Sequence, residues 1–156
     1  MDEKRREVLE TGGGLTLLAL VAAGWLTPGD ARAADWNKAA FETKSLDETV
    51  KAVGGSAAVP SKDITFFATP DIAENGAVVP VGVTSAIPMT ESIAILIEKN
   101  PNMMAAMFAI PQGTDPSIST RVKMGQSSNV YALVKANGKF YFASKEIKVT
   151  LGGCGG

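Results

Sequence analysis

The alternation of apolar and polar residues changes character along this chain. Leu15 to Leu26 is apolar apart from Thr16 and Gly24, a run too short for a membrane span of about 20 residues. Residues 35–53 carry helix signals. Ser45 and Glu48 stand at capping-box spacing, Gly54 and Gly55 supply the stop, and the stretch from Asp35 to Thr43 suits an earlier short helix. From residue 63 the period shortens to two. "DITFFAT" is a short apolar and aromatic strand. "GAVVPVGVTSAI" sets Val79, Val81 and Val83 on one face, and "ESIAILIEK" does the same with Ile93, Ile95 and Ile97. Pro80 inside the valine run lacks a donor, which predicts an edge strand or a bulge. Asn100-Pro101-Asn102 is a turn. "MMAAMFAI" would suit a helix by propensity, but its short Pro-bounded span among strands favours sheet. "SISTRVKM" follows, and Asn137-Gly138 between two strand-like runs is the strongest hairpin signal, because both residues tolerate positive φ.

Seven or so short strands with turns between them predict a mainly β chain, an immunoglobulin-like β-sandwich preceded by one or two short helices. Two runs do not fit a simple sandwich. In the last strand Ile147, Val149 and Leu151 share one face while Phe140 and Phe142 fall on the other, and "MMAAMFAI" is apolar on both. Either a bulge rephases the last strand, or a partner covers a second apolar surface.

The front of the chain reads as a leader. Arg5-Arg6 precedes the apolar run, and Ala31-Arg32-Ala33 places small residues at Ala31 and Ala33, the positions a signal peptidase reads. An Arg pair before a moderate apolar core is the mark of twin-arginine export, although Lys4, Val8 and Glu10 stand where Ser or Thr, Phe and Lys are usual. Cleavage after Ala33 is expected, with an uncleaved anchor as the alternative. The leader holds Lys4, Arg5, Arg6 and Arg32 against Asp2, Glu3, Glu7, Glu10 and Asp30. The chain has 15 basic and 16 acidic residues, so the remainder is formally neutral. A neutral domain without a basic patch is a poor nucleic-acid binder. The expected organisation is a cleaved leader over 1–33, a helical segment over 34–62, a sandwich over 63–151 and an arm over 152–156, with no stable membrane insertion.

The arm carries the chemistry. Cys154 is the single cysteine, set between Gly152-Gly153 and Gly155-Gly156, and the chain contains no histidine. Glycines without a Cβ make this segment thin and conformationally free. Three residue steps separate Cys154 from Leu151, a reach of roughly 10–11 Å. Nothing nearby activates the sulfur: there is no Cys-x-x-Cys pair, and the nearest basic side chain is Lys148. An unactivated thiol is a poor catalyst but a usable handle for another protein's active site. One cysteine cannot form an internal disulfide, and a leftover thiol in an exported protein implies intermolecular chemistry. Prenylation needs three residues after the cysteine, and two follow. A metal site is improbable with a lone thiol, and no cofactor is expected. The Glu74-Asn75-Gly76 stretch reads as a turn, with docking as the alternative, and Arg121, Lys123, Lys145 and Lys148 read as solvated strand faces that could attract an anionic substrate. A different class stays open: an exported structural or adhesive β-sandwich that uses Cys154 for a disulfide to another protein.

Several stretches resemble one family. "PDIAENGAVVPVGV" (Pro70 to Val83) is similar to its hallmark segment, and "KMGQSSNVYALVKANGKFYFASKEIKVTLGGCGG" (Lys123 to Gly156) to its C-terminal hairpin and Gly-Gly-Cys-Gly-Gly ending. The Arg-pair leader and "WNKAAFETKSLDETVKAVGG" also fit. The chain resembles the SoxY family, sulfur-carrier subunits of the periplasmic Sox thiosulfate-oxidising system. The resemblance implies an immunoglobulin-like fold, a heterodimer with SoxZ, and a non-catalytic role in which Cys154 holds sulfur intermediates. It further implies transient docking to SoxAX, a haem enzyme that joins thiosulfate to the thiol; to SoxB, a metal hydrolase that releases sulfate; and, where present, to a sulfane dehydrogenase.

Overall fold

The computed structural model describes residues 37–151, the side chain of Leu151 excepted. The described residues open with two short helices, α1 (Lys38–Phe41) and α2 (Leu46–Ala52). Ser45 caps α2 by accepting the Glu48 N–H through its side chain at 3.2 Å, and the Glu48 carboxylate reaches back to the Lys44 N–H at 2.9 Å. The donors that a helix start leaves open are thus partly satisfied. At the other end Gly54 takes φ +89°. Its N–H donates to the Lys51 carbonyl at 3.0 Å, while the Gly55 N–H donates to the Val50 carbonyl at 2.7 Å. This is a Schellman closure, and it needs a residue that tolerates the left-handed region.

Nine strands follow among the described residues: β1 (Ala58–Pro60), β2 (Ile64–Phe67), β3 (Ile72–Asn75), β4 (Val79–Ser85), β5 (Thr90–Ile97), β6 (Met104–Ala109), β7 (Ser117–Val122), β8 (Ser128–Ala136) and β9 (Lys139–Leu151). They form two sheets. The larger runs β1-β9-β8-β5-β6, with β3 also paired to β9, and the smaller runs β2-β4-β7. Asn137 and Gly138 take φ +49° and +69° and join β8 to β9 by a two-residue loop, with Ala136 opposite Lys139. The middle of "MMAAMFAI", residues 104–109, is strand β6, as its short span among strands implies. β1 lies within the stretch expected to be helical.

The core between the sheets comes from alternate residues. Val79, Val81 and Val83 of β4 face Ile93, Ile95 and Ile97 of β5, with Val130, Val134, Met124 and Ile147 filling the remainder. Every one of these is fully buried.

Pro80 is a correction to the sequence reading. It lies in β4, the central strand of its sheet, and not on an edge. The reason is local. β2 pairs with β4 only over Gly82–Ser85. The Gly82 N–H, facing the β2 side beyond Phe67, donates to Thr69 Oγ at 3.0 Å. Pro80, two residues earlier, faces the same side past the end of β2, where no strand requires its missing donor.

The two-faced last strand is explained by neither expectation. The β8–β9 ladder runs from Ser128 opposite Ile147 to Ala136 opposite Lys139 without a register shift, so no bulge rephases β9. The second face is covered by the chain itself. Phe140, with Leu133, Leu96, Ala94, Met103 and Met104, packs against Ala40 of α1 and Val50 of α2. The helices are therefore a third layer on the outer face of the larger sheet. The Met103 N–H donates to the Thr43 carbonyl at 2.8 Å, and the buried hydroxyls of Thr43 and Thr49 bond each other at 2.7 Å.

Candidate functional site at the end of the last strand

Cys154, Gly152, Gly153, Gly155 and Gly156 lie outside the described residues, as do Arg5, Arg6, Ala31 and Ala33. The structure defines the root, the strand end that precedes the segment bearing Cys154.

That root is held on both flanks. β1 and β3 pair with β9 in parallel, one after the other, along the flank away from β8. The Ser61 N–H donates to the Phe142 carbonyl at 2.9 Å, and the Lys148 N–H to the Asp71 carbonyl at 2.9 Å. In β3, Ile72, Ala73 and Asn75 stand opposite Lys148, Val149 and Leu151. On the other flank β8 pairs only as far as Ile147, and a side chain takes over. The Val149 N–H donates to Ser127 Oγ at 2.8 Å. Thr150 Oγ donates to the Glu74 carbonyl at 3.1 Å. Successive N–H groups of a strand point to opposite sides, so these bonds hold β9 close to its last residue.

The turn beside the root is equally determined. Asn75 Oδ1 accepts the Ala77 N–H at 2.8 Å, an Asx turn that replaces a backbone bond. The Gly76 carbonyl accepts the Met124 N–H at 2.7 Å. Nearby, Asn100 donates to the Lys123 carbonyl at 2.7 Å and accepts from the Gly125 N–H at 3.2 Å. Thus "IAENGA" is a strand and turn that grips the final strand, more than the isolated turn its composition implies. Lys145 is half-buried between Thr69 and Asp71. Its ammonium donates to the Thr69 carbonyl and pairs with Asp71 at 3.0 Å, so it is not a free solvated cation. Arg121, Lys123 and Lys148 are exposed.

Two further features lie away from the root. Glu91, at the hairpin end of the sandwich, pairs with Lys135 at 2.7 Å and accepts the Gly138 N–H at 2.9 Å. Those two bonds hold its carboxyl below the usual range. Tyr131 packs its ring 6.1 Å from Phe142, and its burial, then the charge of Glu98, push its hydroxyl pKa up. A cleft of about 480 Å³ opens at the hairpin end, lined in part by Ile87, Met89, Ile110 and Pro116. Among the described residues no helix is long and apolar enough to cross a membrane.

The sequence reading missed Ser127, Asp71 and Thr150 as holders of the root. Each is an unremarkable Ser, Asp or Thr in the sequence. Parallel pairing between segments more than seventy residues apart leaves no local periodic signal. The one available hint was the pair Ile72 and Val78, aliphatic residues flanking polar "ENG", which the structure leaves exposed.

Comparison with known proteins places the chain among the sulfur carriers, a class that holds intermediates without catalysing their turnover. The family whose model matches is the sulfur oxidation protein SoxY, over residues 50–154, and the chain belongs to it. The match runs from α2 through Cys154. The structure of the sulfur carrier protein SoxY from Chlorobium limicola f thiosulfatophilum is 38% identical, with a TM-score of 0.61, covering 68% of this chain and 96% of that one. A structure of the bacterial superantigen toxic shock syndrome toxin-1 aligns at 16% identity and a TM-score of 0.40, over 55% of this chain and 97% of that one. No curated protein sequence matches.

Proposed function

We propose that this chain carries the sulfur intermediates of thiosulfate oxidation on the thiol of Cys154 and presents them to visiting enzymes. The observation that carries the reading is the strand root. The sole thiol of the sequence lies three residues beyond a strand end that is hydrogen-bonded on both flanks. A rigid root and a thin glycine segment combine defined position with freedom to enter different active sites. In this reading residues 63–151 are an immunoglobulin-like sandwich and 152–156 the carrier arm. Loading joins Cys154 Sγ to the outer sulfur of thiosulfate as Cys–S–S–SO₃⁻; one proton leaves to solvent, and SoxAX, a haem enzyme, would accept the two electrons one at a time and pass them on. Hydrolysis by SoxB then adds water, releases sulfate and a proton, and leaves a persulfide on Cys154. A sulfane dehydrogenase, where present, oxidises the remaining sulfur. Intact mass of the native protein tests the proposal. Thiosulfonate or extra-sulfur increments on the peptide bearing Cys154 support it. A fixed disulfide to another protein supports instead a structural or adhesive domain.

Partner binding has a specific candidate edge. β6 ends the larger sheet, and its residues "MAAMFA" carry no charge. Met107 on it is 44% exposed. The opposite edge, β1, is only three residues long and ends in Pro60. An uncharged edge strand, here six residues with one register shift at Ala105, is a template for another strand. SoxZ is proposed to cover β6, forming the heterodimer. Ala105→Lys with Met107→Lys should leave the monomer folded and raise the Kd for SoxZ by about tenfold or more. Unchanged affinity, measured by calorimetry, would move the interface elsewhere.

Export through the twin-arginine route, with cleavage after Ala33 and a periplasmic mature protein, completes the reading. N-terminal sequencing should give Ala34. Replacing Arg5 and Arg6 by Lys should strand the precursor in the cytoplasm, and normal periplasmic levels of that variant would rule the route out.

A further inference from the structure

The span from Leu151 to Cys154 limits how an enzyme can meet this carrier. Three residue steps reach roughly 10–11 Å even when fully extended. β9 cannot peel away cheaply to lengthen that reach, because Lys148, Val149 and Thr150 are each hydrogen-bonded to Asp71, Ser127 and Glu74. An active site that reacts with Cys154 at the bottom of a channel must therefore bring the channel's mouth onto the surface that surrounds Leu151.

That surface has a distinctive composition. Ile72 stands opposite Lys148 in register, and Asn75 opposite Leu151. Val78 follows the turn, its N–H directed at the Asn75 carbonyl at 3.4 Å. Ile72 is 58% exposed and Val78 54% exposed. The neighbouring Ala73 and Val79 are buried in the core between the two sheets, so alternation along β3 turns Ile72 to the outer face beside β9, while Val78, at the end of the turn that crosses to β4, is exposed on the other side of the strand end. Glu74 and Lys148, both exposed, lie between and beside them.

We propose that the enzyme which conjugates thiosulfate to Cys154 seats the rim of its channel on a collar formed by Ile72, Val78 and the polar residues Glu74 and Lys148. The inference rests on the carrier reading above and adds the surface to it. The partner's rim is apolar opposite Ile72 and Val78. Burial of these two side chains offsets the ordering of the glycine segment, and the same reach constraint applies to every enzyme that acts on the arm. Contact at the collar precedes chemistry and is made equally in the ground and transition states, so its loss appears in KM rather than kcat.

The test uses the full mature chain, thiosulfate, the thiosulfate-conjugating enzyme and a small thiol reagent. Ile72→Glu with Val78→Glu should lower kcat/KM for conjugation by about tenfold or more, chiefly through KM. Reaction of Cys154 with the small reagent should stay at the parent rate. Ile72→Ala with Val78→Ala, which adds no charge, should show a smaller loss in the same direction. Met89→Glu is the control. Met89 is exposed beside the hairpin end, about 40 Å along β9 from the root at ~3.3 Å per residue, and this variant should behave as the parent. Parent-like kcat/KM in the Ile72/Val78 variants overturns the collar, as does an equal loss in Met89→Glu. A parent protein that is never loaded overturns the carrier reading instead.

Discussion

Replacing Cys154 by serine should abolish sulfur loading while leaving the fold intact. The loading step makes a sulfur–sulfur bond, and a hydroxyl cannot replace the thiol in it. No second cysteine exists in the 156 residues to substitute. The stability of the body should be indifferent. The last backbone pairing of β9 is at Leu151, and a surface change beyond such features is worth no more than about 0.5 kcal/mol. Incubating parent and variant with thiosulfate and the conjugating enzyme, then reading intact mass, checks the first half; urea unfolding checks the second. A mass gain that persists in Cys154→Ser would place the cargo on some other group and end the proposal for this residue.

The contrast between that thiol and the surrounding body shows what a sequence can reveal. Local signals were legible. The Asn137-Gly138 hairpin, the Ile93-Ile95-Ile97 face, the Ser45 cap and the Gly54-Gly55 stop each depend on residues within a few positions of one another, and each appears in the structure. The thiol among glycines was legible for the same reason. Pro80 misled because edge and centre are properties of a whole strand only when its neighbours are equally long, and β2 stops short. The Phe140 face of β9 misled because the element that covers it, α2, is about ninety residues earlier. The grip on the arm root was invisible because β3 meets β9 in parallel, far away in sequence. Ser127 and Thr150 acquire their roles only from that register.

The helical layer makes the second large prediction. Phe140 is 4% exposed and joins the larger sheet to α1 and α2. Gly55 lies close against it: a Cβ added there would come within 2.6 Å of the Phe140 ring and 2.7 Å of Val50. The Schellman closure of α2 therefore also brings the chain close enough for the ring to seal the layer. Truncating Phe140 to alanine removes the ring and leaves a cavity between helices and sheet that the paired β9 backbone cannot collapse to fill. The expected cost is about 3–5 kcal/mol. The loss should appear as a lower denaturation midpoint in urea, read by tryptophan-independent circular dichroism. Reaction of Cys154 with a small thiol reagent should be unchanged at temperatures where the variant is folded, because Phe140 stands near the start of β9 and Cys154 follows its end in the sequence. A cost below about 1 kcal/mol would show that the helices do not depend on this ring. The outer face of the sheet would then be free for a partner, as the two-sided apolar pattern of β9 allows. A cost in the expected range assigns that face to the chain's own helices and is consistent with the proposed place of SoxZ on β6.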